Sequence, residues 1–209
     1  MKKISIMLII LSIILPIIPV GAENGTVNIS NANEFAEFAK KCSVDTWSNG
    51  VKVNLTEDIN LSGTEFKSVP TFSGSFNGNG HTISGIRLNN SGSERGLFRY
   101  VKPGAEIKDL KVSGEFTPSG SANNIGGIAG KNEGKITNCE FEGTIRGKSF
   151  IGGIAGTNAA TGVISNSRMK GNVFGEHYVG GIVGQNYGTI ISCTNEGGVN
   201  TDAAVIKPS

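Results

Sequence analysis

The chain has 209 residues, with 31 Gly, 14 aromatics, 3 Cys and 2 His. Its first 22 residues carry two lysines and no acid, so the remainder holds 17 basic against 17 acidic residues and is formally neutral. That balance excludes a polyanion-binding basic surface, and a glycine share of roughly a sixth, twice the usual proportion, excludes a helical bundle.

At the N-terminus, Lys2 and Lys3 precede an apolar run from Ile4 to Val20 that is interrupted by Pro16 and Pro19 and ends Val20-Gly21-Ala22. Seventeen residues with two prolines suit the core of a secretory signal peptide better than a bilayer span, so residues 1–22 are read as a signal cleaved after Ala22. No cysteine stands there to take a lipid, and no second apolar span follows. The expected location is therefore secreted or extracellular, with surface association through a partner and no stable membrane span after cleavage.

Residues 23–50 are read as an N-terminal capping segment. Asn31 to Lys41 has the pattern of a short amphipathic helix: an Asn cap, Phe35 and Phe38 on one face, and Lys40 and Lys41 at the negative end of the helix dipole.

Residues 51–200 are governed by internal repetition. Ile125-Gly126-Gly127-Ile128-Ala129-Gly130 recurs as Ile151-Gly152-Gly153-Ile154-Ala155-Gly156 and as Val179-Gly180-Gly181-Ile182-Val183-Gly184, at spacings of 26 and 28 residues. The repeats span 125–150, 151–178 and 179–200. Within them Asn132, Asn158 and Asn186 align, as do Ile136, Ile164 and Ile190, then Cys139, Ser167 and Cys193. Phe141, Met169 and Asn195 align further on, and the polar Asn195 marks a fraying or terminating turn. An earlier, weaker copy runs from Gly96 through Ile107, Leu110, Val112 and Phe116, and Ile83, Ile86 and Leu88 repeat the spacing of Ile107, Leu110 and Val112.

Glycine pairs and turn dipeptides rule out helical repeats of this length, while apolar residues at alternating intervals have strand spacing. The fold class expected is all-β: a right-handed parallel β-helix, or β-solenoid, of about five rungs, rising about 4.8 Å per rung and closed at its start by the helix. Stacked equivalents would form an asparagine ladder through 132, 158 and 186, two isoleucine columns, and ion-pair columns of Glu140 over Arg168 and of Glu142, Lys170 and Glu196. The tail 201–209 reads as too short to close the far end, which leaves three expectations: the tail folds back, the chain is the front part of something longer, or the open C-terminal end docks a partner.

Phe72-Ser73-Gly74-Ser75-Phe76-Asn77-Gly78-Asn79-Gly80-His81-Thr82-Ile83-Ser84-Gly85, together with the three Gly-Gly repeats, resembles the GLUG-motif β-solenoid proteins of bacteria. The similarity runs from about residue 26 to 200. It implies an exported parallel β-helix of the kind found in surface and adhesin-like proteins and in the non-catalytic N-terminal region of some immunoglobulin-A-cleaving metalloproteases, and it implies no catalytic residues.

Chemistry-bearing patterns are sparse. His81 and His177 lie far apart in the repeat frame, no metal-ligand spacing exists, and no Asp recurs in the Gly-Gly segments as calcium-binding solenoids require, so no cofactor or metal is expected. His81 is read as a turn residue and His177 as part of a loop between copies. Cys139 and Cys193 fall two rungs apart, roughly 9.6 Å, beyond disulfide reach, and read as small buried apolar residues, while Cys42 closes the capping helix and pairs with neither unless that helix packs in an unexpected way. A polysaccharide lyase or hydrolase is the enzymatic alternative, because parallel β-helices carry such sites on one face. Here Asp58, Asp109 and Asp202 occupy unrelated positions, so the chain is read as no enzyme. Arg168, His177, Tyr178 and Tyr187 are the candidate ligand contacts, by aromatic stacking on sugar. The expected partner is a glycan or a host-surface ligand, not a nucleic acid. The function expected is a surface, adhesive or spacer module, with a carbohydrate-active β-helix and the front segment of a larger secreted protease or surface protein as alternatives.

Overall fold

The computed structural model describes residues 25–200, so the signal-peptide reading and the tail 201–209 fall outside the described residues. Strands wind through six turns and pair in parallel with their equivalents one turn away. The fourth turn shows the plan: Lys135–Thr137 on a first face, Glu140–Arg146 on a second, Ser149–Gly152 on a third and Ala155–Asn158 on a fourth. The first and second faces are seven-stranded sheets; the fourth has five strands and the third only three. The turn made of Lys52–Leu55, Ile59–Asn60 and Val69–Phe72 brings the count to one more than the glycine repeats indicate, because it winds without a Gly-Gly pair.

The short third face explains the glycine motif. Its strands lie directly against the fourth face, with no room for side chains between them: a Cβ on Gly126 would meet Ala155 Cα at 2.5 Å, and one on Gly152 would meet Val183 Cα at 2.7 Å. The isoleucines of the motif point the other way, into the core. Ile125 pairs with Ile151 and Ile151 with Val179, and Ile125, Ile128, Ile151 and Ile154 are buried.

Aromatic residues fill the wider N-terminal half. Phe72, Phe76 and Phe98 pack with ring centroids 5.3–6.2 Å apart, and Phe116 meets Phe141 edge-on at 5.1 Å. The helix Ala32–Lys41 closes this end as expected. Asn31 Oδ1 accepts from Glu34 N at 3.0 Å, and the buried Phe38 ring lies 5.9 Å from Phe72 and 5.7 Å from Phe76. The helix thereby covers apolar surface that an unpaired first turn would expose. At the opposite end of the described residues, Ile190 is 38% and Ile191 52% exposed, whereas Ile136 and Ile164, stacked behind Ile190, are fully buried.

Three details depart from the sequence reading. Ile83 pairs with Val112 and Leu88 with Phe116, not with Ile107 and Val112: Ile107 lies on the first face, where its partner is Phe76, and a bulge at Ser84–Gly85, with Gly85 at φ +72°, adds one residue between Ile83 and Ile86. The charged columns have the expected register, Glu140 beside Arg168 and Glu142 beside Lys170, but the ion pairs run diagonally: Lys170 Nζ to Glu140 Oε1 at 3.0 Å and Arg168 to Glu196 at 3.3 Å. Long side chains lean along the strand and reach the diagonal neighbour. His177 starts the strand His177–Gly180 instead of lying in a loop.

Candidate ligand-binding surface

Every turn must bend sharply between the second and third faces. The residue at that corner takes a left-handed backbone in four successive turns: Glu94 (φ 50°), Asn124 (56°), Phe150 (60°) and Tyr178 (54°). Glycines of the fourth face hold the first three in place. Gly130 packs against the Glu94 backbone, Gly156 against Asn124 and Gly184 against Phe150, so closely that a Cβ on any of them would overlap the corner.

The column divides in two. In its lower half Asn124 Nδ2 donates to Glu94 Oε1 at 3.2 Å, and Thr157 Oγ1 donates to Asn124 Oδ1 at 2.7 Å. In its upper half the rings of Phe150 and Tyr178 stack, centroids 4.9 Å apart and planes 14° from parallel. Tyr178 is 64% exposed. Alongside runs a second column, Asn123, Ser149 and His177, in continuous register. Asn123 Oδ1 accepts from Ser149 N at 3.1 Å. Just before the corner, the Arg146 guanidinium lies 4.1 Å over the Phe174 ring, so the edge of the second face adds another outward aromatic.

Of the four residues singled out in sequence, His177 and Tyr178 adjoin at this corner. Arg168 stands at the start of the second-face strand Arg168–Phe174, in its ion pair with Glu196. Tyr187, 65% exposed, follows the asparagine ladder at the opposite corner, its N–H donating to Asn158 O at 2.8 Å. Phe150 and the Arg146–Phe174 pair belong to the surface but are not marked by sequence spacing.

Elsewhere the chemistry is structural. His81 Nδ1 lies 3.2 Å from Asp58 Oδ1 in a turn; the Thr82 N–H, first, and the His81 ring hold the Asp58 carboxyl below its usual range. Burial raises the thiols of Cys42 and Cys139 to about 12, and Cys42, Cys139 and Cys193 are all free. Among the described residues no three His, Cys, Asp or Glu side chains are placed to hold a metal. A hollow of about 780 Å³ brings Glu65, Arg87 and Glu115 to an open face of the second sheet, where all three remain exposed to water. No helix among the described residues is long and apolar enough to cross a membrane.

Comparison with known proteins agrees with this architecture. The GLUG motif matches residues 121–146 and 175–200. Halomucin of Haloquadratum walsbyi is 34% identical over 93 residues, 44% of this chain but 1% of that protein. The crystal structure of a candidate immunoglobulin A1 protease from Bacteroides ovatus superposes with a TM-score of 0.64 at 21% identity, over 85% of this chain and 58% of that one, a likeness of fold. This chain thus spans a small part of the first relative and little more than half of the second.

Proposed function

We propose that this chain, which belongs to the GLUG-motif β-solenoid proteins, is an exported, non-catalytic module that acts at a surface as an adhesive rod. The observation that carries the proposal is the contrast between its interior and its corner. The interior is a continuous column of buried Ile and Phe with a hydrogen-bonded asparagine ladder, which makes a stiff support, while at the third-face corner the exposed Tyr178 ring stacks on Phe150, whose backbone Gly184 holds. Rigid elements presenting preorganised side chains are how binding surfaces keep their geometry. The N-terminal Lys2-Lys3 and Ile4–Val20 pattern supports export.

A second role follows from the exposed Ile190 and Ile191 at the far end. That end is where a partner, or further parts of a longer surface protein or secreted protease, would pack.

The test is intact-mass detection of the native product in medium, wall and membrane fractions, using antibody to residues 23–209. A species in the medium or wall supports an exported module, and its mass separates a free-standing rod from a stalk. Retention in the cytosol with residues 1–22 attached would overturn the proposal.

A further inference from the structure

The rings at positions 150 and 178 stand where the backbone does not favour them. A left-handed backbone strains an ordinary side chain and is tolerated best by Asn, Asp and Gly. The molecule contains its own comparison. At the corner between the first and second faces another left-handed column runs through Asp109, Asn138, Asn166 and Ser192, with φ 49–52°, and every member is small and polar. There Asn138 Nδ2 donates to Asp109 Oδ1 at 2.6 Å. The lower half of the third-face corner follows the same habit at Asn124, but Phe150 and Tyr178 break it.

Stability does not explain the exception. A stacked aromatic pair returns less than the strain of two such residues costs, and the Tyr178 ring is mostly in water rather than in the core. Strain that Gly184 packing enforces at the half-buried Phe150, beneath the exposed Tyr178 ring stacked on it, is the signature of a contact surface.

We propose that the Phe150–Tyr178 stack is a platform for a pyranose ring of a neutral oligosaccharide, with His177 and Ser149 as the adjoining hydrogen-bonding groups. The inference rests on the surface-binding reading and gives it a ligand class. Pyranoses offer a flat C–H face to an aromatic ring and hydroxyls around their rim. This matches an exposed ring flanked by the polar column Asn123, Ser149 and His177. Net neutrality of residues 23–209 provides no attraction for a polyanion. Two rings are also far smaller than the roughly 1,200 Å² that a stable protein interface buries.

The experiment uses the full mature chain and four neutral probes: cellohexaose, chitohexaose, xylohexaose and laminarihexaose. Binding is read by saturation-transfer NMR and calorimetry, and thermal melts are recorded in parallel. At least one probe is expected to bind with a Kd of about 1 mM or tighter. Tyr178→Asn and Phe150→Asn should weaken it at least ~10-fold while melting no lower than the parent, because Asn accepts the left-handed backbone. Tyr178→Phe should bind within ~3-fold of the parent, and Tyr187→Asn, at the opposite corner, should bind like the parent. Absence of binding by all four probes up to about 10 mM, or parental affinity in Tyr178→Asn, overturns the platform. Retention of the same proteins on a mucin layer distinguishes the two levels of the argument. If Tyr178→Asn is retained as well as the parent, the platform alone fails; if the parent itself is not retained, the surface-binding reading fails with it.

Discussion

Asn132 Nδ2 donates to Asn158 Oδ1 across 2.8 Å, one full turn along the solenoid. Asn158 repeats the bond to Asn186 Oδ1, also at 2.8 Å, and each amide additionally satisfies its own turn, Asn132 through Gly134 and Asn158 through the Gly162 carbonyl. Asn132 and Asn158 are wholly buried, so the ladder is the polar spine of an otherwise apolar core.

Replacing Asn158 by Leu removes both ladder bonds: Asn132 Nδ2 keeps only its longer 3.3 Å bond to the Gly134 carbonyl, and the Gly162 carbonyl keeps the Thr189 N–H. A hydrogen bond contributes about 0.5–1.5 kcal/mol net, and for a domain of this size each kcal/mol lowers the melting temperature by about 2–4 °C. A fall of about 2–12 °C is expected by circular dichroism. Asn186→Ala, at the exposed end, should lower it far less.

The glycines divide into those that make room and those that make turns. A Cβ on Gly153 would collide with the Gly181 carbonyl and the Met169 side chain, whereas one on Gly104 would have nothing within 4 Å and only the strain of φ +82°. Gly153→Ala should therefore lose about 3 kcal/mol or fail to fold, against about 1 kcal/mol for Gly104→Ala. Urea titration of the two variants checks the ratio.

Cys139 is fully buried from solvent on every side, and its thiol is raised to about 12 mainly by burial; Cys42 is raised to about 12 by the same cause. A folded-state pKa above the unfolded value near 8.5 stabilises the native state fully at pH below about 8.5, and the contribution is lost as pH rises toward 12. Melting temperature should thus decline between about pH 8.5 and 11, and a thiol reagent at pH 8 should label Cys193, which is partly exposed, well before Cys42 or Cys139.

The diagonal pair Lys170–Glu140 at 3.0 Å joins side chains that are 36% and 22% exposed. Glu140→Gln should cost less than about 1 kcal/mol, with the difference shrinking in high salt. A larger loss in urea titration would mean that the pair fixes the register of the second face.

Much of the fold was legible because a solenoid writes its register into its sequence. Asn132, Asn158 and Asn186 align by counting alone, and the capping helix declares itself through Asn31, Phe35 and Phe38. The turn Lys52–Phe72 lies inside the range 51–200 read as solenoid but has no glycine pair to count it by, and the shared spacing of three and two at Ile83 and Ile107 matches residues of two different faces, since Ile107 pairs with Phe76. The aromatic corner was half legible. Tyr178 stood out as an aromatic between copies, but Phe150 reads as one more apolar residue beside Ile151. The signal that could have found it is Asn124 at the same repeat position: an asparagine there marks a left-handed turn, and a phenylalanine in that place is out of character. Arg168 and Tyr187 are near Tyr178 in sequence, but the winding sends them to other faces.

The central claim is that this chain binds a surface without cleaving it. Mass uptake on a mucin-coated quartz-crystal microbalance, with the full mature chain flowed over the layer, tests both halves at once. The account predicts a gain in mass that washing with soluble oligosaccharide reverses, leaving the layer at its starting mass. A trace that does not rise, or a layer that ends lighter than it began, would contradict it.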